Sequence, residues 1–330
     1  MSKKQSLVKQ TVALLRKRGQ KSLKISKLSV LQEKIQQKTL RDALLYFVDE
    51  VFPDIMHPGL LSVYCEAVGG DANSVVQVGA ALMMLVGAAD LHDDIIDEST
   101  VKNGKQTVLG KYGKDIAVLS GDAFLIKGLY LLQEAMALFP ENKKNAILEL
   151  IKQAFFDLSS AEAEEATYRG NIDLSGREYL ELIKRKTAVS EATAKIGAII
   201  GGGTTTEVKT LGEIGRIIGL LSTMRDDFID VFELEELGNR ATNEILPLPV
   251  LNVFQDPKKK DEITKLLKGR KLTKRRTERI VDIVMHSKET EELKKEMQAL
   301  IKEGLDLASH LKSAGKDLTL ILNSSVEDLQ

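Results

Sequence analysis

A single-domain bundle of antiparallel α-helices is the fold class that the sequence predicts, on three observations. Apolar residues recur at helical spacing almost throughout, and few runs alternate strictly enough for a half-buried strand, so sheet content should be negligible. The connections are mostly short and polar or glycine-containing. Across 330 residues no break in composition and no tandem repeat marks a linker, and a chain of this length can bury a sizeable core. Facing helices of such a bundle can hold a ligand in an apolar cleft at their centre.

Residues 1–27 form a basic N-terminal extension in which Lys3, Lys4, Lys9, Arg16, Lys17, Arg18, Lys21, Lys24 and Lys27 occur without an acidic residue. The apolar stretch from Leu7 to Leu15 is broken by Lys9 and Gln10, so no cleaved leader is expected. A solvated, frayed terminus is expected, with at most a peripheral membrane contact as its functional alternative. The helical domain then occupies 28–330. In 28–51, Leu31, Ile35, Leu40, Leu44, Leu45 and Val48 keep helical spacing, and Pro53, Pro58 and Gly59 end that helix in a loop. After a turn at Gly69, Gly70 and Asp71, Asn73 is placed to cap a helix over 73–97. Further helices are expected at about 115–138, 142–169, 176–201, 206–236, 258–268, 273–287 and 289–312. No segment is expected to cross a bilayer.

Composition narrows the function. Lys plus Arg number 47 against 48 Asp plus Glu, so no overall field attracts nucleic acid, and no nucleic-acid partner is expected. Cys65 is the one cysteine, which excludes an internal disulfide framework, fits a reducing cytoplasm and suits a small core residue.

The chemistry lies in two acidic clusters. Asp93, Asp94 and Asp97 end a largely apolar helix, and Asp226, Asp227 and Asp230 repeat the pattern after another. Residues four apart share a helix face, so Asp93 and Asp97 project toward one point, where like charges repel and the helix macrodipole adds to the cost. A divalent cation relieves both. Short all-oxygen ligands favour Mg²⁺, which keeps several waters and is completed by substrate phosphates, so a diphosphate is the natural missing ligand. A single DDxxD string is usually a solvated helix face; two, each ending an apolar helix, point to function.

These clusters resemble those of the trans-isoprenyl diphosphate synthases, the class I polyprenyl synthetase family. Further resemblances are "VYCEAVGGD" at 63–71, Gly121-Asp122, "YLELIKRKTAVSEATAKIGA" at 179–198, "GRIIGLLSTMRDDFID" at 215–230 and "ILPLPVL" at 245–251. The resemblance covers about 40–255 and implies an all-α, usually homodimeric bundle of the isoprenoid synthase type. It implies three Mg²⁺ ions on the six aspartates when diphosphate is bound, and assigns Lys186 and Thr187 to the allylic diphosphate. Asp93, Asp97, Asp226 and Lys186 would then be catalytic. His92 is expected to pack beside the site, not to act as a base.

Departures gather where the resemblance places isopentenyl diphosphate. "VFPDIMHP" puts Asp54, Ile55 and His57 where the family has basic residues, Lys102 and Asn103 replace paired arginines, and Thr223 replaces a glutamine. Asn243 stands near an expected lysine, with Arg240 as its substitute; Lys102 and Arg240 are therefore candidate substrate ligands. Ala88 and Ala89, one turn before the first cluster, imply room for a tail beyond C15 and a C20 or longer product. The leading expectation is a prenyltransferase condensing an allylic diphosphate with isopentenyl diphosphate. The alternatives are a class I terpene synthase, which needs no isopentenyl diphosphate, and a non-catalytic partner subunit.

Overall fold

The computed structural model describes residues 6–52, 55–102, 104–268, 272–311 and 315–327. They are almost wholly helical. Helices α1 (Leu7–Leu31), α2 (Lys38–Tyr46) and α3 (Met56–Ala67) are followed by α4 (Val76–Ile96), which carries the first acidic cluster. A short hairpin, β1 (Val101–Lys102) with β2 (Lys105–Gln106), leads into α5 (Val108–Tyr112), α6 (Lys114–Met136) and α7 (Glu141–Glu165). Then come α8 (Gly176–Lys186), α9 (Ala188–Gly201) and α10 (Thr205–Phe232), which carries the second cluster. The bundle is completed by α11 (Leu234–Asn243), α12 (Leu248–Val253), α13 (Pro257–Leu267), α14 (Lys274–Met285), α15 (Lys288–Ser309) and α16 (Gly315–Ser324).

The expected boundary at residue 27 is crossed by α1, which is no frayed extension. Its Leu15 is fully buried in the core. A Cβ on Gly59 of α3 would lie 2.7 Å from the Leu15 carbonyl oxygen, so the two backbones meet where only glycine fits. Ser22 Oγ donates to the Val76 carbonyl at 2.9 Å and Ser26 Oγ to that of Ala80 at 3.1 Å, tying α1 to α4. At its start, the Glu327 carboxylate accepts from the Leu7 and Val8 amides at 2.9 and 2.8 Å, an anion placed on two unpaired donors of the helix N-terminus. The basic residues lie along the remaining outer face, where Arg18 pairs with Glu66 and Asp317, and Lys27 with Asp49. Lys3 and Lys4 lie outside the described residues.

Other expected boundaries also move for local reasons. The helix expected over 28–51 divides: α1 ends at Leu31, and Gln37 caps α2 by accepting from the Leu40 amide. Within the region expected to be a loop, α3 forms with Pro58 in its first turn, where the missing N–H costs nothing. The helix expected over 176–201 breaks at Thr187, whose hydroxyl donates to the Lys184 carbonyl at 2.7 Å and competes with the helical ladder. One described helical stretch, 72–96, is apolar and long enough to cross a bilayer, contrary to expectation. It is a core element here, with Val78, Ala81, Leu82, Met84 and Ala88 buried against neighbouring helices.

Close packing of small residues positions the site. A Cβ on Gly215 or Gly219 of α10 would come within 2.6 Å of Ala194 Cβ or Ser190 Oγ on α9. That proximity seats the α8–α9 junction beside the end of α10. Cys65 is fully buried, as expected of a small core residue. Removing residues 1–27 should therefore cost far more than a loose extension would, since burying Leu15 alone is worth about 2–5 kcal/mol by comparison with Leu-to-Ala substitutions. Thermal denaturation of the truncated chain should show loss of the cooperative transition or a fall in Tm above about 5 °C, on the order expected for a loss of several kcal/mol in a chain of this length.

Candidate active site

The C-terminal ends of α4 and α10 open into one cavity of about 370 Å³. Asp93 and Asp97 line it from the first cluster, and Asp226, Asp227 and Asp230 from the second. Glu165, Glu233, Glu236 and Glu244 join them, so nine carboxylates face three cations, Lys102, Lys186 and Arg240. Sequence reasoning missed these glutamates, together with Glu162 and Tyr179. The signal for Glu162 and Glu165 was their spacing of three on a helix, and the acidic run of α7 concealed it.

Within each cluster the three aspartates differ. Asp94 is turned away from the cavity and is 1% exposed. Its oxygens meet no donor in hydrogen-bonding geometry, although Lys102 Nζ stands 2.8 Å from Oδ1. Lys102 also lies 3.6 Å from both Asp90 and Asp93. The hairpin aims it there: Thr107 Oγ1 donates to the Ser99 carbonyl at 2.7 Å, folding β1 back over the end of α4. Asp97 is met by Arg169 at 3.2 Å. In the second cluster Asp227 is fully engaged, accepting from Arg240 at 3.0 Å and from the Leu248 amide at 2.8 Å. Asp230 accepts from Arg240 at 3.0 Å through one oxygen, and Asp226 stays exposed with Arg225 at 3.8 Å.

The expected substrate ligands sort in the same way. Lys186 reaches the cavity, held by Glu162 at 3.0 Å and by Glu165 more closely. Thr187 does not line the cavity; it is buried with its hydroxyl spent on Lys184. Arg240 lines the cavity but is no free cation, because its guanidinium bonds Asp227, Asp230, the Tyr179 hydroxyl and the Ile245 carbonyl. Asn103 and Asp54 lie outside the described residues. His92 packs on Gly121, where a Cβ would come within 2.4 Å of its ring, and its Nε2 faces Asp122 at 3.5 Å; that accounts for the Gly-Asp pair.

The charge excess perturbs titration. Burial, then repulsion from Asp93, Glu244 and Glu165, pushes Asp97 up to about 7. Burial raises Asp230 and Glu244 to about 7 despite Arg240, and raises Asp94 to about 7 despite Lys102. Lys186 shows the converse: burial disfavours its charge, but Glu165 and Glu162 outweigh that and hold it protonated.

This donor set fits a divalent cation. It is all oxygen and heavily over-charged, with nine carboxylates on the cavity wall against three cations. Among the described residues no group of three acidic or histidine side chains is close enough to cage an ion alone. A hard ion whose shell is finished by water and substrate oxygens suits that spacing better than an all-protein cage.

An apolar cavity of about 550 Å³ is walled by α4, α6, α7 and α9. Ala89 lines it and lies four residues before Asp93, one turn or about 6 Å along α4. The structure separates the two alanines: Ala88 does not line this cavity and is buried in the cluster containing Phe47 and Phe124.

The chain matches the polyprenyl synthetase family over residues 35–284. It belongs to that family. It is 29% identical over 259 residues to the geranylgeranyl diphosphate synthase of Sulfolobus acidocaldarius, covering 78% of this chain and 75% of that one. It is 31% identical over 219 residues to the short chain isoprenyl diphosphate synthase of Methanothermobacter thermautotrophicus, covering 62% and 64%. The crystal structure of geranylgeranyl pyrophosphate synthetase from Pyrococcus horikoshii superposes with a TM-score of 0.83 at 23% identity, over 96% of this chain and 98% of that one. The all-α isoprenoid synthase fold of this polyprenyl synthetase is thereby established.

The raised carboxylates carry a pH signature. Groups whose folded pKa exceeds the unfolded value bind more protons when folded, so they cost stability as pH rises from about 4 to about 7. Metal-free protein should have a Tm several degrees lower at pH 8 than at pH 5.5, and Mg²⁺ should raise Tm more at pH 8. Calorimetry showing equal Tm values and no Mg²⁺ effect would contradict the charge accounting.

Proposed function

We propose that this chain is a Mg²⁺-dependent prenyltransferase that ionises an allylic diphosphate and condenses it with isopentenyl diphosphate, giving a polyprenyl diphosphate of C20 or longer. The observation that carries the proposal is an acid-walled cavity and an apolar one that share α4, with Ala89 of the apolar wall one turn before Asp93 of the acidic wall. Both curated relatives described above are named as isoprenyl diphosphate synthases, one for a geranylgeranyl product.

The chain's own residues divide the work. Asp93, Asp97 and Asp226 present the free carboxylate oxygens that would hold Mg²⁺, with Asp230 contributing its oxygen not taken by Arg240. Bound Mg²⁺ supplies Lewis-acid stabilisation of the negative charge that builds on the departing diphosphate. Lys186, kept charged by Glu162 and Glu165, stands at the cavity wall as the direct cationic contact for that group. Apolar walls around Ala89 exclude water, which would otherwise trap the allylic cation. After condensation a proton must leave the new chain, and released diphosphate is a sufficient acceptor, so no protein base is required.

The weaker acceptor-site chemistry favours one second reading. Lys102, the remaining cation where the resemblance expects arginines, is engaged with Asp90, Asp93 and Asp94, and His57 and Ile55 stand where other basic residues are expected. An enzyme that ionises the allylic substrate without isopentenyl diphosphate would have this arrangement.

Incubation with geranyl, farnesyl and geranylgeranyl diphosphates, with and without isopentenyl diphosphate, separates the readings. Elongated diphosphate supports the proposal; hydrocarbon or alcohol formed without isopentenyl diphosphate replaces it with the second reading. Asp93→Asn and Asp97→Asn should each lower turnover on the order of 100-fold or more, by analogy with loss of one preorganised charge-stabilising group. Ala89→Phe should shorten the product by chromatography, whereas Ala88→Phe should chiefly overpack the core and lower Tm.

The homodimer implied by the family is proposed on the outer faces of α6 and α7. Ile126, Leu129 and Tyr130 are 66%, 47% and 53% exposed there, beside Phe155 and Phe156 at 45% and 64%. Leu129, Phe155 and Phe156 also line the apolar cavity, so a partner would close its open side. Light scattering should give twice the chain mass, and the double variant Ile126→Glu, Phe156→Glu should run as a monomer.

A further inference from the structure

Helix α1 carries a charge pattern unlike that of other surface helices. Over Leu7–Leu31 it has seven basic residues, Lys9, Arg16, Lys17, Arg18, Lys21, Lys24 and Lys27, and no acidic one. On α7 and α15 a carboxylate three or four positions away offsets the basic residue: Lys144 meets Glu141, Lys152 meets Glu149, Lys288 meets Glu292 and Lys294 meets Glu291. On α1 the residues one turn apart, Lys17, Lys21 and Lys24, share one sign and repel. Three of the seven find partners off the helix, Arg18 with Glu66 and Asp317, Lys27 with Asp49, and Lys21 with the Asn73 side-chain oxygen. Among the described residues Lys9, Arg16, Lys17 and Lys24 pair with no carboxylate, and all four are exposed.

These four cations form a stripe. Around the helix they fall within an arc of about 100°, and they span about 22 Å of its axis. Leu28 and Leu31, 43% and 40% exposed, continue the outer face in the last turn, and Val12, 39% exposed, flanks its start. The opposite side is fixed in the bundle by Leu15, Ser22 and Ser26, so α1 presents this face without leaving the fold.

We propose that the outer face of α1 is a docking surface for an anionic lipid bilayer, with Lys9, Arg16, Lys17 and Lys24 at the headgroups and Val12, Leu28 and Leu31 entering the interface. Apolar members interleaved with cations gain burial at the acyl boundary, which a phosphate backbone does not offer. Helix α1 has no aromatic side chain to stack on a base, and a net charge of −1 gives the chain no wider field for a polyanion.

The test is flotation of the full chain with vesicles of equimolar phosphatidylcholine and phosphatidylglycerol, or of phosphatidylcholine alone. Wild type should float with the anionic vesicles at low ionic strength, stay unbound with the neutral ones and be released by high salt. The combined variant Lys9→Glu, Arg16→Glu, Lys17→Glu, Lys24→Glu should lose flotation while keeping the wild-type Tm. If it does not fold, Lys17→Gln with Lys24→Gln takes its place and should weaken partitioning about 25-fold, at about fivefold for each basic residue near an anionic leaflet. Wild type left unbound by anionic vesicles overturns the proposal, as does a folded variant that floats as wild type does. Duplex DNA that binds wild type more tightly than vesicles of the same phosphate concentration overturns the choice of lipid. The assay uses neither substrate nor metal, so its outcome is separate from that of the prenyltransferase reading.

Discussion

An excess of negative charge, held in a partly buried cavity by the ends of two apolar helices, is the constraint on which the rest of the structure depends. Nine carboxylates share the space with three cations, and each cation is already committed to acidic partners. Such an arrangement persists only because the surrounding bundle over-determines it, and it is discharged by what it binds. The raised carboxylates on the cavity wall and the fit to a hard cation are one fact seen two ways.

The bundle supplies that over-determination through close backbone contacts. Gly215 and Gly219 let α9 lie against α10, and Ser22 and Ser26 bind α1 to the backbone of α4. Both acidic helices are therefore clamped along their length while their ends carry the repulsion. In each cluster the second aspartate is paired with a cation, Asp94 with Lys102 outside the cavity and Asp227 with Arg240 on its wall. The hydrophobic tail space begins a single turn away at Ala89, so charge capture and water exclusion share one helix.

Much of this was legible in the sequence. Helical periodicity gave the all-α class, and two DDxxD strings on apolar helices identified five aspartates that do line one cavity. Boundaries failed where side chains act on the backbone, as when the Thr187 hydroxyl interrupts the helical stretch expected over 176–201, and where charge was mistaken for exposure. The basic residues of α1 masked a period of buried small residues, Gly19, Ser22 and Ser26, that dock it into the fold. Arg240 does line the cavity, but residue type reveals a cation and not that its charge is shared with Asp227 and Asp230. Ala88 and Ala89 could not be told apart without knowing which side of α4 faces the tail cavity.

The most direct test is where metal goes. Crystals grown with Mn²⁺ and a non-ionisable allylic diphosphate analogue, measured at the manganese absorption edge, should show anomalous peaks between the α4 and α10 clusters, in contact with Asp93, Asp97 and Asp226. Peaks at the protein surface, or diphosphate bound in that cavity with no anomalous density beside it, would contradict the account.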